Sequence, residues 1–218
     1  MKRRMLLLLP LLGVGSVQAS IVSNVTGADM AGIKVTATFA DSTSDTAFWV
    51  ATDTTPDVDA NPIIAQEGYA GGASGAGWSL SQRGNTFGEI LPGPIFYGLW
   101  TLTNATLKDI VKLEIDALVA NIVFDKIDGV ENTVGSSVGR PFFSNAGGVI
   151  GSYSNSFSAP DLYGTLTLDW ANGFGGVNNS MVFMADTDAI PEPASLMLLG
   201  TGIVGVAALR RRRSRKNG

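Results

Sequence analysis

The sequence predicts an all-β protein, an antiparallel β-sandwich, with a jelly roll as one form open to it. Three observations predict it. Several stretches alternate apolar and polar residues with period two, the pattern of a strand with one buried face. Gly, Asn, Asp, Ser and Pro break these stretches at short intervals. Between the two chain ends no run of ten or more residues carries a convincing helical period, so the helices that parallel strands require are missing.

The first element precedes that core. Lys2, Arg3 and Arg4 form a positive start, Met5 to Val14 an apolar run, and Val17-Gln18-Ala19 a small-residue site. This is the anatomy of a secretory signal peptide: residues 1–19 form a signal helix that engages the general secretion machinery and is cleaved after Ala19. The apolar run is too short to span a bilayer comfortably.

Strands follow. In "GIKVTATFA", Ile33, Val35, Ala37 and Phe39 alternate with Lys34, Thr36 and Thr38. Ala47–Thr52, Gly77–Gln82 and Phe96–Asn104 are the next candidates. In "IVKLEIDA", Val111, Leu113 and Ile115 alternate with Lys112, Glu114 and Asp116. A helix is the rival reading there, with Leu107, Ile110, Val111 and Glu114 on one side, but alternation and β-branched content favour a strand. Asn121–Asp125 and Ser152–Ser158 come next. In "GTLTLDW", Leu166, Leu168 and Trp170 alternate with Thr165, Thr167 and Asp169, and Met181–Ala185 closes the series. "GYAGGASGAG", "NAGGVIG" and "NGFGGVNN" read as breaks.

The segment 20–189 is about 170 residues, one domain's worth, and can bury a core without covalent staples. Nine of the fifteen bases lie in the chain ends, so this segment keeps six (Lys34, Arg83, Lys108, Lys112, Lys126, Arg140) against eighteen acids, a formal charge of −12. Such a domain is repelled by phosphate backbones, which excludes nucleic acid as a partner. The chain has no cysteine and no histidine. It therefore lacks the commonest general base, any Ser-His or Cys-His nucleophile pair, and the commonest transition-metal ligand.

The last element is residues 190–218. Ala194 to Leu209 is an uncharged, mainly apolar run of sixteen residues. As a helix it would span about 24 Å, a transmembrane length once snorkelling arginines and slight thinning are counted. Arg210, Arg211, Arg212 and Arg213 follow as a stop-transfer cluster that stays cytoplasmic. Pro191 and Pro193 hold an extended segment just outside the membrane. "IPEPASLMLLGTGIVGVAALRRRR" resembles the PEP-CTERM sorting signal of exopolysaccharide-producing Gram-negative bacteria, in its Pro191-Glu192-Pro193 triplet, its Leu/Gly-rich helix and its arginine stop. The resemblance implies that an exosortase-type membrane enzyme reads Pro191, Glu192 and Pro193 and removes the tail, so that the membrane is a transient anchor. "GWSLSQRGNTFGE", "GLWTLTNATLKDIVKLEIDA" and "NIVFD" are similar to the ectodomains that commonly precede this signal, a likeness that transfers no functional residue.

Other motifs carry less. Gly200 to Gly205 fits G-x-G-x-x-G but lies inside the apolar tail, with no strand before it. Gly135-Ser136-Ser137-Val138-Gly139 fits G-x-S-x-G without a histidine to serve it, and Lys126 is the nearest base in sequence. Asp57-Val58-Asp59-Ala60-Asn61 opens like an EF-hand loop, but Pro62 and Gly68 stand where Gly and Glu are needed. A calcium site using Asp53, Asp57 and Asp59 is the minor alternative. Glu89, Glu114 and Glu131 could supply a carboxylate pair for glycoside hydrolysis, though spacing brings no two of them together. Trp78, Phe96, Tyr97, Trp100, Tyr153, Tyr163 and Trp170 could stack on a sugar polymer, but the alternation around Trp100 and Trp170 assigns them to the core.

The sequence thus predicts an exported protein that is a membrane-anchored precursor before it reaches the cell surface or extracellular matrix. Its expected role is structural, in the envelope or an exopolysaccharide matrix or biofilm, with polysaccharide as a candidate partner. A carbohydrate-binding module or adhesin is the alternative, and an exported glycan hydrolase the second alternative. No enzyme activity, cofactor or metal is expected.

Overall fold

A computed structural model describes residues 21, 25–55, 69–87, 98–126, 139–158, 161–175 and 179–190, all within one compact unit, Ser20–Pro191. The predicted signal helix and transmembrane helix lie outside the described residues. Among the described residues no helix is long and apolar enough to cross a membrane.

The chain opens with a hairpin, β1 (Lys34–Phe39) and β2 (Ser44–Phe48). Its turn is fixed by Asp41, whose carboxylate accepts the Thr43 N–H at 3.0 Å, and by Ser42 in the left-handed region at φ 66°. β3 (Val50–Asp53), β4 (Ala70–Ser74), β5 (Trp78–Arg83) and β6 (Trp100–Asn104) then form a meander. β7 (Ile110–Asp116), a single 3-10 turn (Leu118–Ala120) and β8 (Ile122–Asp125) return to the first sheet. β9 (Phe143–Ser144), β10 (Val149–Ser158), β11 (Leu162–Phe174), β12 (Asn179–Met184) and β13 (Asp186–Ala189) complete the chain.

All pairings are antiparallel. One sheet runs β13-β8-β11-β7-β1-β2, with β10 on the other flank of β11, and the second runs β3-β4-β5-β6-β12-β9. The β-sandwich expected from alternation is the observed architecture. Burial follows the alternation: in β1, Val35, Ala37 and Phe39 are buried between half-exposed Lys34, Thr36 and Thr38. In β7, Leu113 and Ile115 are buried, whereas Leu107, which a helix would have turned inward, is 91% exposed. The two inner faces meet at an aromatic cluster. Trp100 from β6 stacks on Phe183 from β12 at 5.7 Å and meets Trp49 edge-on at 5.2 Å, with Phe124 of the facing sheet at 6.2 Å.

Six elements differ from the sequence expectation: β10 begins at Val149, inside the "NAGGVIG" break, β11 runs on to Phe174, into the "NGFGGVNN" break, and the other four depart further. Ala47–Thr52 is not one strand: Trp49 breaks it, and the chain passes there from the first sheet to the second. Trp49 is buried and its indole N–H donates to the Gly27 carbonyl at 2.7 Å, so the crossing is anchored by the residue that interrupts the ladder. The glycine-rich break contains β4, because a Cβ on Gly71 would overlap the Gly27 carbonyl and the Trp49 indole nitrogen. β9 and β13 were not expected, one being two residues long and the other polar.

Candidate functional site

β8 and β13 pair with Asp186 opposite Asp125 and Asp188 opposite Val123. Side chains opposite one another share a face and alternate residues change face. Phe124 and its partner Thr187 therefore share one face, where Phe124 joins the aromatic core, and Asp125, Asp186 and Asp188 share the other. These three carboxylates are 0–2% exposed, and an oxygen from each lies within 4.8 Å of the others. The chain at 139–140 packs against them: a Cβ on Gly139 would overlap the Asp125 carboxyl, and Arg140 donates its N–H to the Asp125 carbonyl at 3.1 Å. The Arg140 guanidinium lies over the Phe87 ring at 4.4 Å.

Thr86 closes the edge of β13. Its hydroxyl lies 3.1 Å from an Asp186 oxygen and 3.3 Å from the Thr187 carbonyl, and accepts the Thr187 N–H at 3.1 Å. The Thr187 N–H also reaches the Asp186 carboxyl at 2.8 Å. Burial raises the pKa of Asp186 to about 8, aided by the charges of Asp188 and Asp125 and opposed by the Thr86 and Thr187 donors. Burial also pushes the Tyr153 phenol up, with the charges of Asp186 and Asp125 adding to the effect. Carboxylates this close in a dry site oppose ionisation of Asp186. An oxygen-rich set of this kind could hold a proton or a hard cation such as calcium. Sealed from solvent, it offers no cleft in which a glycosidic bond could sit between two acids.

The proton reading has a measurable sign. Asp186 titrates near 3.8 when unfolded and near 8 when folded, so the native state binds the extra proton between those values. Its contribution to stability is complete below pH 4 and is lost as pH rises toward 8. At about 1.4 kcal/mol per unit, several kcal/mol are at stake. Thermal unfolding of the protein is expected to rise by roughly 10 °C from pH 8 to pH 5. Asp186→Asn should flatten that slope and stabilise the protein at pH 8, because the amide oxygen keeps the Thr86 and Thr187 contacts while the charge is gone. A protein that melts higher at pH 8 than at pH 5 would refute the assignment. EDTA at neutral pH is expected to shift the melting temperature by less than about 2 °C, since stabilisation by a ligand scales with its occupancy. A larger drop, reversed by calcium and absent in Asp186→Asn, would make the cluster a cation site.

The residues singled out from the sequence do not converge here. Asp53 accepts two hydrogen bonds from Thr55 and lies 4.0 Å from Arg83, while Asp57 and Asp59 fall outside the described residues. Glu114 stands on the outer face of β7 with Lys112 at 3.2 Å, and Glu89, Glu131 and Ser137 are outside the described residues. Lys126 donates its backbone N–H to the Asp161 carbonyl. Trp78, Trp100 and Trp170 are buried, and Tyr153 and Tyr163 are half-buried, packed on each other at 5.6 Å. Phe96 and Tyr97, together with Ala19, Pro191 to Pro193 and Arg210 to Arg213, lie outside the described residues. Sequence reasoning missed the aspartate cluster. The available signal was parity: Asp125 ends an otherwise apolar strand, and Asp186 and Asp188 flank Thr187 with period two.

The model of the PEP-CTERM protein-sorting motif matches residues 189–213. No curated protein and no solved structure matches the chain. The motif marks an exported protein sorted through a C-terminal signal, with a transient membrane-anchored precursor and processing by an exosortase-type enzyme. It begins at the last residue of β13, and Ile190 donates its N–H to the Asn121 carbonyl at 2.8 Å.

Proposed function

We propose that the processed sandwich is a non-catalytic structural component of the envelope or of an extracellular polysaccharide matrix. The observation that carries this reading is where the sorting motif starts. It begins as β13 ends, so removal of the tail beyond Pro193 delivers a complete sandwich. Buried tryptophans weigh against a sugar-stacking surface built from Trp78, Trp100 or Trp170. The Glu114–Lys112 pair on an open sheet face weighs against a hydrolase centred on Glu114.

Fractionation of the producing cells tests the proposal. The processed protein should co-purify with the polysaccharide fraction, deletion of its gene should reduce matrix cohesion, and glycans or esters should not be turned over. Processed protein found free in the medium with the matrix unaltered, or turnover abolished by Glu89→Gln or Ser137→Ala, would sink it.

A further inference from the structure

Exposed apolar side chains are not spread evenly over the sandwich. Among the described residues eight large hydrophobics stand exposed, and Phe48, Val50, Leu118 and Val119 gather where the chain leaves the domain. Ile190, the last described residue, donates its N–H to the Asn121 carbonyl at 2.8 Å. The 3-10 turn Leu118–Ala120 runs directly into Asn121, which is left-handed at φ 58°. A Cβ on Gly32 would stand 3.6 Å from the Ala120 Cβ, and the Gly32 N–H donates to the Trp49 carbonyl at 2.9 Å. Phe48 and Val50 flank Trp49 in the chain. These contacts join the four side chains and Ile190 into one strip.

A hydrophobic side chain exposed singly needs no explanation, whereas a group of them marks a contact surface. Phe48 is 61% exposed, and Val50 and Val119 are each 57% exposed. The charges beside the strip offset one another. Lys34 stands opposite Phe48 in the β1–β2 register and opposite Asp116 in the β1–β7 register.

We propose that in the anchored precursor this strip rests on the bilayer surface, with Phe48, Val50, Leu118 and Val119 among the lipid headgroups. The length of the tether selects the occupant. The sorting motif marks a membrane-anchored precursor. Pro191, Glu192 and Pro193 alone separate Ile190 from the apolar run that opens at Ala194. Those four residue steps reach at most about 14 Å even when fully extended. The side chains around Ile190 are therefore the first of the domain to meet lipid. Apolar side chains gain by entering the interface, but these four, without a basic cluster, hold a domain of charge −12 only weakly. The contact depends on the tether, so trimming ends it. It orients the domain while the tail is attached and frees it afterwards. This rests on the anchored precursor and not on the proposed matrix role.

A chain without cysteine can be labelled at one chosen position, which supplies the test. Phe48→Cys, Val119→Cys and Leu107→Cys each carry one fluorescent label on the full chain, reconstituted in vesicles of phosphatidylethanolamine and phosphatidylglycerol with a headgroup quencher. Leu107 is 91% exposed and precedes the opposite end of β7, away from the strip. Labels at 48 and 119 should be quenched at least about threefold more than the label at 107. Processed protein mixed with the same vesicles should show no quenching at any of the three. Hydrogen exchange of the unlabelled chain covers a label that unsettles the fold, because the Leu118 and Val119 amides should exchange more slowly on vesicles than after processing. Equal quenching at all three positions, no quenching at 48 and 119, or quenching that persists without the tail overturns the proposal. A strip that serves the processing enzyme instead gives the second of these results, since the vesicles contain lipid alone. A full chain that does not float with the vesicles overturns it too, by removing the anchor.

Discussion

Changing Pro191, Glu192 and Pro193 together to alanine is expected to leave export intact and abolish trimming, so that a longer, membrane-bound form accumulates. The reason is a division of labour along the tail. We propose that sixteen uncharged residues, Ala194 to Leu209, hold the precursor in the membrane, and that Arg210 to Arg213 fix its direction by staying cytoplasmic. Neither property depends on the triplet. On the same proposal the prolines favour a backbone that a protease can grip, and Glu192 offers a charge that a recognition pocket can read. On the domain side, β13 is paired to β8 and Ile190 is bonded to Asn121. Intact-mass measurement on native material should show protein lacking residues 1–19 and everything from about Ala194 onward. Replacing Arg210 to Arg213 with serine should lower processing by a different route, through misplacement of the helix. If the triple alanine variant is trimmed normally, or the apolar tail persists in the mature protein, the segment is a plain anchor and the sorting assignment fails.

The same tail shows how legibility varied along the chain. A sorting signal is read as linear sequence by an enzyme, so its triplet, apolar run and arginine stop are visible without structure. Alternating strands are nearly as plain, because period two is imposed by one wet and one dry face; β1 is written residue by residue, and β7 from Leu113 onward, while before it a register shift buries Ile110 in place of the expected Val111. What escaped notice depends on partners remote in sequence. β4 looks like a loop until Trp49 and the Gly27 carbonyl are placed against Gly71. Asp186 and Asp188 look like a polar linker before the prolines until β8 brings Asp125 to them and residues 139–140 pack against them. Trp49, taken alone, continues a strand; only the second sheet explains why it turns inward. In each case the missing information is a contact across tens of residues, which alternation and turn chemistry do not encode.

The largest loss of stability from a single substitution is expected at Trp100. Its side chain is fully buried, and its indole N–H donates to the Ala185 carbonyl at 2.9 Å. It stacks on Phe183 within its own sheet and touches Phe124 of the facing sheet, so one ring holds both layers together. Trp100→Ala removes that contact area, opens a cavity that the sandwich cannot fully close, and leaves the Ala185 carbonyl short of a donor. Truncations of this kind cost about 3–5 kcal/mol. Against a total stability of about 5–15 kcal/mol for a domain, that is a large share. Trp100→Phe keeps most of the ring and loses the hydrogen bond, for which about 1–2 kcal/mol is the expected cost. Phe143→Ala, at a side chain 57% exposed, should stay within roughly 0.5 kcal/mol of the parent. Urea unfolding followed by far-UV circular dichroism ranks the three. The midpoints should fall in the order Phe143→Ala, Trp100→Phe, Trp100→Ala with little change in slope, because a change in slope would mean an altered unfolded ensemble rather than a weakened core. A loss under about 1 kcal/mol for Trp100→Ala would place the centre of the sandwich elsewhere, since a residue that joins both sheets cannot be truncated that cheaply.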